Sequence, residues 1–145
     1  MSDTLSDPVT KAWVNLVRAR HTVVSAVEAD AKAAGMLPLE WYDVLWYLER
    51  HESGVRPFEL EQQLLFQQYN LSRLIDRMVA EGLVKKTTCP SDKRGHLLTL
   101  TETGRKRRKA SWPFYARSVN KHLGDKLSEA ETEKLGALLR KLVES

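Results

Sequence analysis

The chain has 145 residues, of which 42% are hydrophobic and 29% are charged. A chain of this length can bury one hydrophobic core, and the composition is too apolar for an intrinsically disordered protein. The longest stretch without an acidic or basic side chain, Gln62 to Ser72, is much shorter than the roughly 20 apolar residues that cross a bilayer. We therefore expect a single folded domain over residues 1–145 and no membrane partner.

The first residues and the cysteine count indicate the compartment. Residues 1–8 carry acidic side chains where a secretory signal carries basic ones. Cys89 is the only cysteine, so the chain has no internal disulfide and no thiolate cluster for a metal. We expect a cytoplasmic protein.

Positive charge is concentrated in one part of the chain. The net charge is +4, yet the segment from Lys85 to Lys109 holds nine basic and only two acidic side chains. Such a segment favours a polyanionic partner, because lysine and arginine displace counterions from the phosphates of nucleic acids. Charge alone leaves a solvated helix surface equally open.

Two amphipathic helices are predicted at the start of the chain. Apolar side chains recur at three- and four-residue spacing over residues 8–34 and again over residues 38–51, which is typical of helices with a buried face. Gly35 ends the first helix, and Pro38 suits the first turn of the second, where its missing N–H has no helical partner. The second helix is apolar on more than one side, so we expect it to be central.

A helix-turn-helix is predicted next. A short helix over residues 58–65 and a longer one over residues 67–80 follow a break at residues 53–57. The longer helix places four apolar side chains on one face: Leu71, Leu74, Ile75 and Met78. Two helices joined by a tight turn are typical of DNA-binding motifs.

A hairpin and two helices complete the chain. Residues 83–88 and 96–101 alternate at period two, and residues 89–95 between them have the composition of a turn. Thr101 suits the N-cap of a helix that runs to about residue 123, and Pro113 inside this helix predicts a kink near Trp112. Ser128 and Glu131 form a capping box that opens the last helix.

The predicted fold is mainly α with a small β-hairpin. A winged helix-turn-helix occupies residues 36–101, and amphipathic helices lie before it, over residues 8–35, and after it, over residues 102–145. A helix fits the major groove of B-DNA, and a basic hairpin tip fits the minor groove. The order of elements therefore favours a protein that binds double-stranded DNA.

Three segments resemble the core signature of the MarR family of bacterial transcriptional regulators. They are Leu71-Ser-Arg-Leu-Ile-Asp-Arg-Met78, Glu81-Gly-Leu-Val84 and Asp92-Lys-Arg-Gly-His-Leu-Leu-Thr-Leu-Thr-Glu-Thr-Gly104. The resemblance implies a homodimer whose terminal helices interlock and whose two winged domains bind a pseudo-palindromic operator. It implies a repressor, or less often an activator, that is modulated by a small aromatic ligand or an oxidant.

The resemblance also implies which residues contact DNA. At the start of the recognition helix they are Gln67, Gln68, Tyr69, Asn70, Ser72 and Arg73. Glutamine and asparagine amides can pair with adenine, while serine, tyrosine and arginine side chains can hold phosphates. Tyr69 or Gln67 packing against the preceding helix is the alternative that the sequence leaves open.

The wing supplies three further candidates. Arg94 is expected to enter the minor groove, Lys93 to contact phosphate, and Asp92 to orient Arg94 through a charge-assisted hydrogen bond. The same residues are also ordinary in an exposed turn. Of the five consecutive basic residues from Arg105 to Lys109, most are expected to be solvated, because a helix distributes them around its circumference.

Two positions depart from the family pattern. Glu61 stands where the family usually has a small alanine, and Leu65 stands where a glycine or polar residue is usual. We therefore expect the turn between the two helices to be displaced or lengthened.

Other functions have weaker support. Cys89 beside basic residues allows a redox switch, although a lone cysteine has no resolving partner. The four histidines lack the spacing of a metal site, and no phosphate loop or nucleophile elbow is present, so we expect no enzyme, metal or cofactor. Aromatic side chains can line an effector pocket, but they are more often core. The alternative function is a winged-helix module that binds protein partners or RNA without operator specificity.

Overall fold

The computed structural model describes residues 3–89 and 92–144, without the side chains of residues 89 and 92–94. Six α-helices and two strands follow one another in this order: α1 Asp7–Ala33, α2 Leu39–Glu49, α3 Pro57–Gln63, α4 Leu71–Ala80, β1 Val84–Cys89, β2 Asp92–Leu100, α5 Glu102–His122 and α6 Glu129–Val143. A short 3-10 helix, Gly124–Lys126, precedes α6. The fold is mainly helical with one β-hairpin, as predicted.

The residues group into two compact units. Residues 3–33 and 114–144 form one unit, and residues 34–113 form the other. The predicted boundary lay near residue 101, whereas the division runs through α5 at Pro113. The first part of α5 therefore belongs to the unit that contains α2, α3, α4 and the hairpin.

The unit of residues 34–113, called the winged unit below, has its core around α2. Its largest fully buried side chains come from α2, α3, α4, the hairpin, the segment before α3 and the residue before β1: Leu45, Leu48, Leu60, Met78, Leu83, Leu98, Val44, Val55 and Val84. Full burial of a leucine or methionine side chain contributes about 1.5–3 kcal/mol. The wide apolar surface of α2 is thus explained by its central position, as predicted.

The hairpin is longer than the sequence suggested. Val84 pairs with Leu100 and Cys89 pairs with Asp92, with a register shift between Thr88 and Cys89. Residues 89 and 92–95, predicted as part of a turn, therefore lie on the strands, and among them Cys89 pairs with Asp92. Strand propensity is a weak preference that the pairing context can override. Residues 90 and 91 lie outside the described part of the chain.

Thr101 fixes the junction between the wing and α5. Its Oγ1 accepts a hydrogen bond from Gly104 N at 2.9 Å and donates to the Gly82 carbonyl at 2.6 Å. A Cβ at Gly104 would overlap the carbonyl oxygen of Leu83, so only glycine allows this close approach. The predicted N-cap of α5 is confirmed.

The other unit is held by polar contacts between α1 and α5. Asp30 Oδ2 accepts a hydrogen bond from Ser118 Oγ at 2.8 Å and lies 2.8 Å from His122 Nε2. These bonds, that of Ser118 first, lower the pKa of Asp30. Ser128 and Glu131 form the predicted capping box of α6. None of the described helices is long and apolar enough to cross a membrane.

Candidate nucleic-acid interface

The recognition helix α4 has one buried and one exposed side. Leu74, Ile75 and Met78 are buried, whereas Ser72 and Arg73 are exposed. The predicted apolar face is therefore confirmed. The outer side offers a hydroxyl and a guanidinium near the helix N-terminus, where the helix dipole also favours an anion.

The recognition helix begins later than predicted. It starts at Leu71, not at Gln67, so Gln67, Gln68 and Tyr69 lie in the linker of residues 64–70 between α3 and α4. The physical reason is the N-cap at Asn70, whose non-helical backbone ends the linker. The connection between α3 and α4 therefore spans residues 64–70, and the expectation that it is displaced or lengthened relative to the family pattern stays a prediction.

The linker exposes its polar side chains. Tyr69 is 111% exposed relative to a reference residue, Gln67 is exposed and Gln68 is half-buried. The alternative in which Tyr69 or Gln67 packs against the preceding helix does not occur. Gln68 Nε2 donates a hydrogen bond to the Phe66 carbonyl at 3.4 Å.

Asn70 has a structural partner. Its Oδ1 accepts a hydrogen bond from Arg73 N at 3.1 Å and caps α4. Bidentate pairing with adenine needs both the oxygen and the amide nitrogen of an asparagine. In this structure the oxygen is engaged, so capping is the role that the geometry assigns to Asn70.

The two departures from the family pattern are both on the surface. Glu61 is exposed on α3, and Leu65 is 77% exposed in the linker. Neither side chain lies in the packed crossing of α3 and α4. Glu61 therefore imposes no buried charge on that crossing.

Asp43 is the site residue that sequence reasoning missed. It lies on α2, is 6% exposed, and its Oδ2 accepts a hydrogen bond from Phe66 N at 3.0 Å. Burial raises the pKa of Asp43, and backbone hydrogen bonds from Phe66 and Leu65 oppose that rise. An aspartate within the apolar run Trp41 to Leu48 was the available signal.

The wing candidates are only partly described. Asp92, Lys93 and Arg94 lie on β2, but their side chains are outside the described part of the structure, as is that of Cys89. Their roles remain predictions. On β1, Lys85 is exposed, and Lys86 Nζ lies 3.6 Å from Asp76 Oδ1 of α4.

Acidic partners neutralise part of the basic run on α5. Arg105 lies within 4 Å of three carboxylates, those of Glu49, Glu52 and Glu102. Arg108 pairs with Glu49 and donates a hydrogen bond to Tyr42 at 3.4 Å. Lys106, Arg107 and Lys109 are exposed. Two of the five cations thus serve the packing of α5 on α2.

No group of three histidine, cysteine, aspartate or glutamate side chains within the described residues is arranged to hold a metal ion. The cluster of Asp30, Ser118 and His122 superficially resembles a catalytic triad. However, Ser118 and His122 both contact the same carboxylate oxygen. A nucleophilic serine would instead need a hydrogen bond to the histidine.

Comparison with known proteins agrees with this geometry. A model of the MarR family matches residues 34–95. The multiple antibiotic resistance protein MarR of Escherichia coli strain K12 is 30% identical over 89 residues, which is 61% of this chain. AbsC, a MarR family transcriptional regulator from Streptomyces coelicolor, is 26% identical, with a TM-score of 0.82 over 98% of this chain and 96% of that one.

Over residues 34–95 the chain is similar to the MarR family.

The match to the Escherichia coli MarR protein spans 62% of that protein's length. Another MarR family regulator, Sco3205 from Streptomyces coelicolor, was solved in complex with DNA and is similar in fold, with 23% identity and a TM-score of 0.86 over 99% of this chain and 91% of that one. Proteins described as transcriptional regulators thus share both the sequence signature and the fold. The predicted resemblance to the MarR family and the predicted winged-helix fold are confirmed.

Proposed function

We propose that this protein is a MarR family regulator of transcription that binds double-stranded DNA with sequence specificity. The observation that carries the proposal is the exposed polar surface of the linker and α4, with Tyr69 wholly exposed above the buried Leu74, Ile75 and Met78. A surface of amides, hydroxyls and a guanidinium next to a helix N-terminus is suited to the major groove. The Sco3205 complex with DNA supports the same use of the fold.

The linker and α4 contribute different kinds of contact to DNA. Gln67 and Gln68 carry the amides that can pair with adenine. Tyr69, Ser72 and Arg73 carry groups that hold phosphates and fix the register of the helix on the duplex. Asn70 acts through the helix cap.

The wing completes the DNA interface in this proposal. Arg94 enters the minor groove, where narrow A·T-rich segments attract cations, and Lys93 contacts phosphate. Asp92 orients Arg94. The exposed Lys85 on β1 adds positive charge to the same hairpin.

The protein acts as a homodimer. Val9, Trp13, Leu16 and Val17 form an exposed apolar stripe along α1. Leu138 and Leu142 are also exposed, one turn apart on α6. Uncovered apolar side chains at helical spacing on both terminal helices fit a second copy of this chain.

A two-fold dimer sets the form of the DNA site. Two recognition helices about one helical turn of DNA apart, roughly 34–36 Å, bind a pseudo-palindromic operator. Repression, with release by a small aromatic ligand or an oxidant, is the regulatory mode that the family resemblance supports. A cytoplasmic location follows from this function.

Selection of genomic fragments tests the proposal. Purified protein is mixed with sheared DNA of the host, bound fragments are sequenced, and the recovered duplex is compared with a shuffled duplex by fluorescence anisotropy at several salt concentrations. We expect a shared palindrome, a Kd of about 10⁻⁸–10⁻¹¹ M, and at least about 10³-fold weaker binding to the shuffled duplex. Affinity should fall steeply between 50 and 200 mM salt, by about 10³-fold or more for six or more phosphate contacts.

The alternative module gives a different result. A winged domain that binds proteins or RNA would enrich no common sequence and would bind both duplexes equally and weakly. Either outcome would overturn the proposal. The genes next to an enriched palindrome would indicate what the protein regulates.

A further inference from the structure

The linker of residues 64–70 carries polar side chains of the proposed interface but is part of no helix or strand. Its backbone amides therefore need partners from elsewhere, because an irregular segment has no ladder of its own. At its start, Leu64 is buried, and its N–H donates to the Leu60 carbonyl at 3.1 Å. At its end, Asn70 caps α4. The middle of the linker depends on a different element.

Asp43 supplies that support from α2. Its carboxylate accepts hydrogen bonds from the backbone N–H groups of Phe66, at 3.0 Å, and Leu65. Asp43 is 6% exposed and is flanked in sequence by Val44 and Leu45, which are fully buried. Hydrogen bonds to a charged group are stronger than neutral ones, and burial limits competition from water.

A buried carboxylate at this place is costly for the fold. Transfer of a charge from water into an apolar core is unfavourable unless hydrogen bonds offset it. Burial is the largest influence on the pKa of Asp43 and raises it, so the two backbone hydrogen bonds offset the cost only in part. A neutral side chain of the same shape would avoid this cost, which points to a benefit other than stability.

We propose that Asp43 is a positioning residue for DNA recognition. It holds the backbone at Leu65 and Phe66, so that Gln67, Gln68 and Tyr69, which follow directly, meet the bases and phosphates in one fixed arrangement. A fixed arrangement avoids the entropic cost of ordering the linker on DNA. The inference rests on the proposed DNA-binding function.

Two substitutions and a control test this role in the full-length protein. Asp43→Ala removes both acceptors, and Asp43→Asn keeps the shape and one acceptor oxygen without the charge. Asp3→Asn is the matched control, because it removes one negative charge at an exposed residue before α1. The probes are the duplex recovered by genomic selection and its shuffled version.

The first readout is recognition of DNA. We expect Asp43→Ala to weaken binding to the selected duplex about tenfold or more, equivalent to about 1.4 kcal/mol, while binding to the shuffled duplex changes less than twofold. Asp43→Asn should lose less, and Asp3→Asn should match the wild type. Asp43→Asn should also be as stable as the wild type in urea at neutral pH, since the neutral amide avoids the burial cost.

The second readout needs no DNA. Amide hydrogen exchange in the free protein should show that the Phe66 amide is protected in the wild type and loses protection in Asp43→Ala, while the amides of α2 keep theirs. Unchanged exchange at Phe66 would overturn the inference. So would a loss of binding that follows the unfolded fraction, or equal losses on both duplexes.

The two proposals fail in distinguishable ways. If the wild-type protein itself does not prefer the selected duplex, the DNA-binding function fails, and the positioning role in recognition fails with it. If the wild type discriminates and Asp43→Ala discriminates equally well, only the role of Asp43 is wrong.

Discussion

Substitution of Asn70 separates a helix cap from a base contact. The sequence assigned Asn70 to base reading, whereas the structure shows its Oδ1 accepting a hydrogen bond from Arg73 N at 3.1 Å. Asn70→Ala removes the cap, and Asn70→Ser keeps a capping oxygen but loses the amide that would pair with adenine. Asn70→Ser therefore keeps the helix cap that Asn70→Ala loses, while both variants lose the amide that could contact a base.

The expected magnitudes follow from the cap. Loss of an N-cap side chain costs about 1 kcal/mol, within a range of about 0.5–2 kcal/mol, while serine caps almost as well as asparagine. For a chain near 150 residues, 1 kcal/mol lowers the Tm by about 2–4 °C. We expect this shift for Asn70→Ala and almost none for Asn70→Ser. Ser72 and Arg73 lie in the first turn of α4, so fraying of that turn should weaken DNA binding in Asn70→Ala as well.

The assay combines thermal unfolding with binding to a panel of duplexes. Tm is measured at one protein concentration, because dimer stability depends on concentration. Binding is measured to the selected duplex and to versions with one base pair changed in each half-site. If Asn70 acts as a cap, Asn70→Ser keeps the wild-type stability and the wild-type preference at every position. Normal stability of Asn70→Ser with a loss of preference of about 1–3 kcal/mol at one position would refute this reasoning and restore the base contact.

Three further predictions follow. Gly104→Ala should destabilise the protein by about 1–3 kcal/mol in urea because its Cβ would overlap a backbone oxygen, whereas Gly136→Ala, with nothing within 4 Å of its Cβ, should raise stability by up to about 1 kcal/mol; equal effects would contradict the packing argument. Because hydrogen bonds lower the pKa of Asp30 from its ordinary 3.8, its ionised form stabilises the fold above that pH, and this contribution is lost as the pH falls through the lowered value. The stability difference between wild type and Ser118→Ala, measured by urea unfolding, should therefore be larger at pH 7 than at pH 3, and a constant difference would exclude a role for ionised Asp30. Trp13→Glu should shift the protein from dimer to monomer in sedimentation at micromolar concentration, and an unchanged dimer would remove Trp13 from the interface.

The regular elements were predictable because local rules decide them. The spacing of apolar residues predicted the buried face of α4. Thr101 and Ser128 indicated the starts of α5 and α6, because each has a side-chain oxygen that can cap a helix. These features require only residues within one or two turns of each other. They could therefore be predicted from the sequence without knowledge of tertiary contacts.

The boundaries of the segments that we propose to face DNA were less predictable. Gln67 to Tyr69 contain no glycine or proline, so nothing in their own sequence excludes a helix. Asn70 directly before the apolar series of α4 was the local signal for a later start. On the wing, turn-forming composition at residues 92–95 concealed their place on β2, where Asp92 pairs with Cys89 of β1.

The role of Asp43 could not be predicted from local sequence rules. Its hydrogen-bond partner Phe66 is 23 residues away in sequence, and no spacing rule connects an acidic residue on one helix with the backbone of a distant linker. The sequence displayed only an anomaly, a charge within an apolar helix. Such an anomaly identifies a buried polar group that needs a partner, but only the tertiary structure identifies the partner.

The linker's hydrogen bonds connect the core of the winged unit with the surface that we propose to face DNA. The amides of Leu65 and Phe66 bind a side chain of α2, and the amide of Arg73 in the first turn of α4 binds Asn70. The exposed Gln67 and Tyr69 lie between these two attachments, so their positions depend on both. Recognition should therefore be sensitive to substitutions that never touch DNA, and Asp43→Ala combined with Asn70→Ala should lose more operator preference than the sum of the single losses, because either attachment alone still restrains the segment. Additive losses would show that the two attachments act independently and that the linker does not move as one unit.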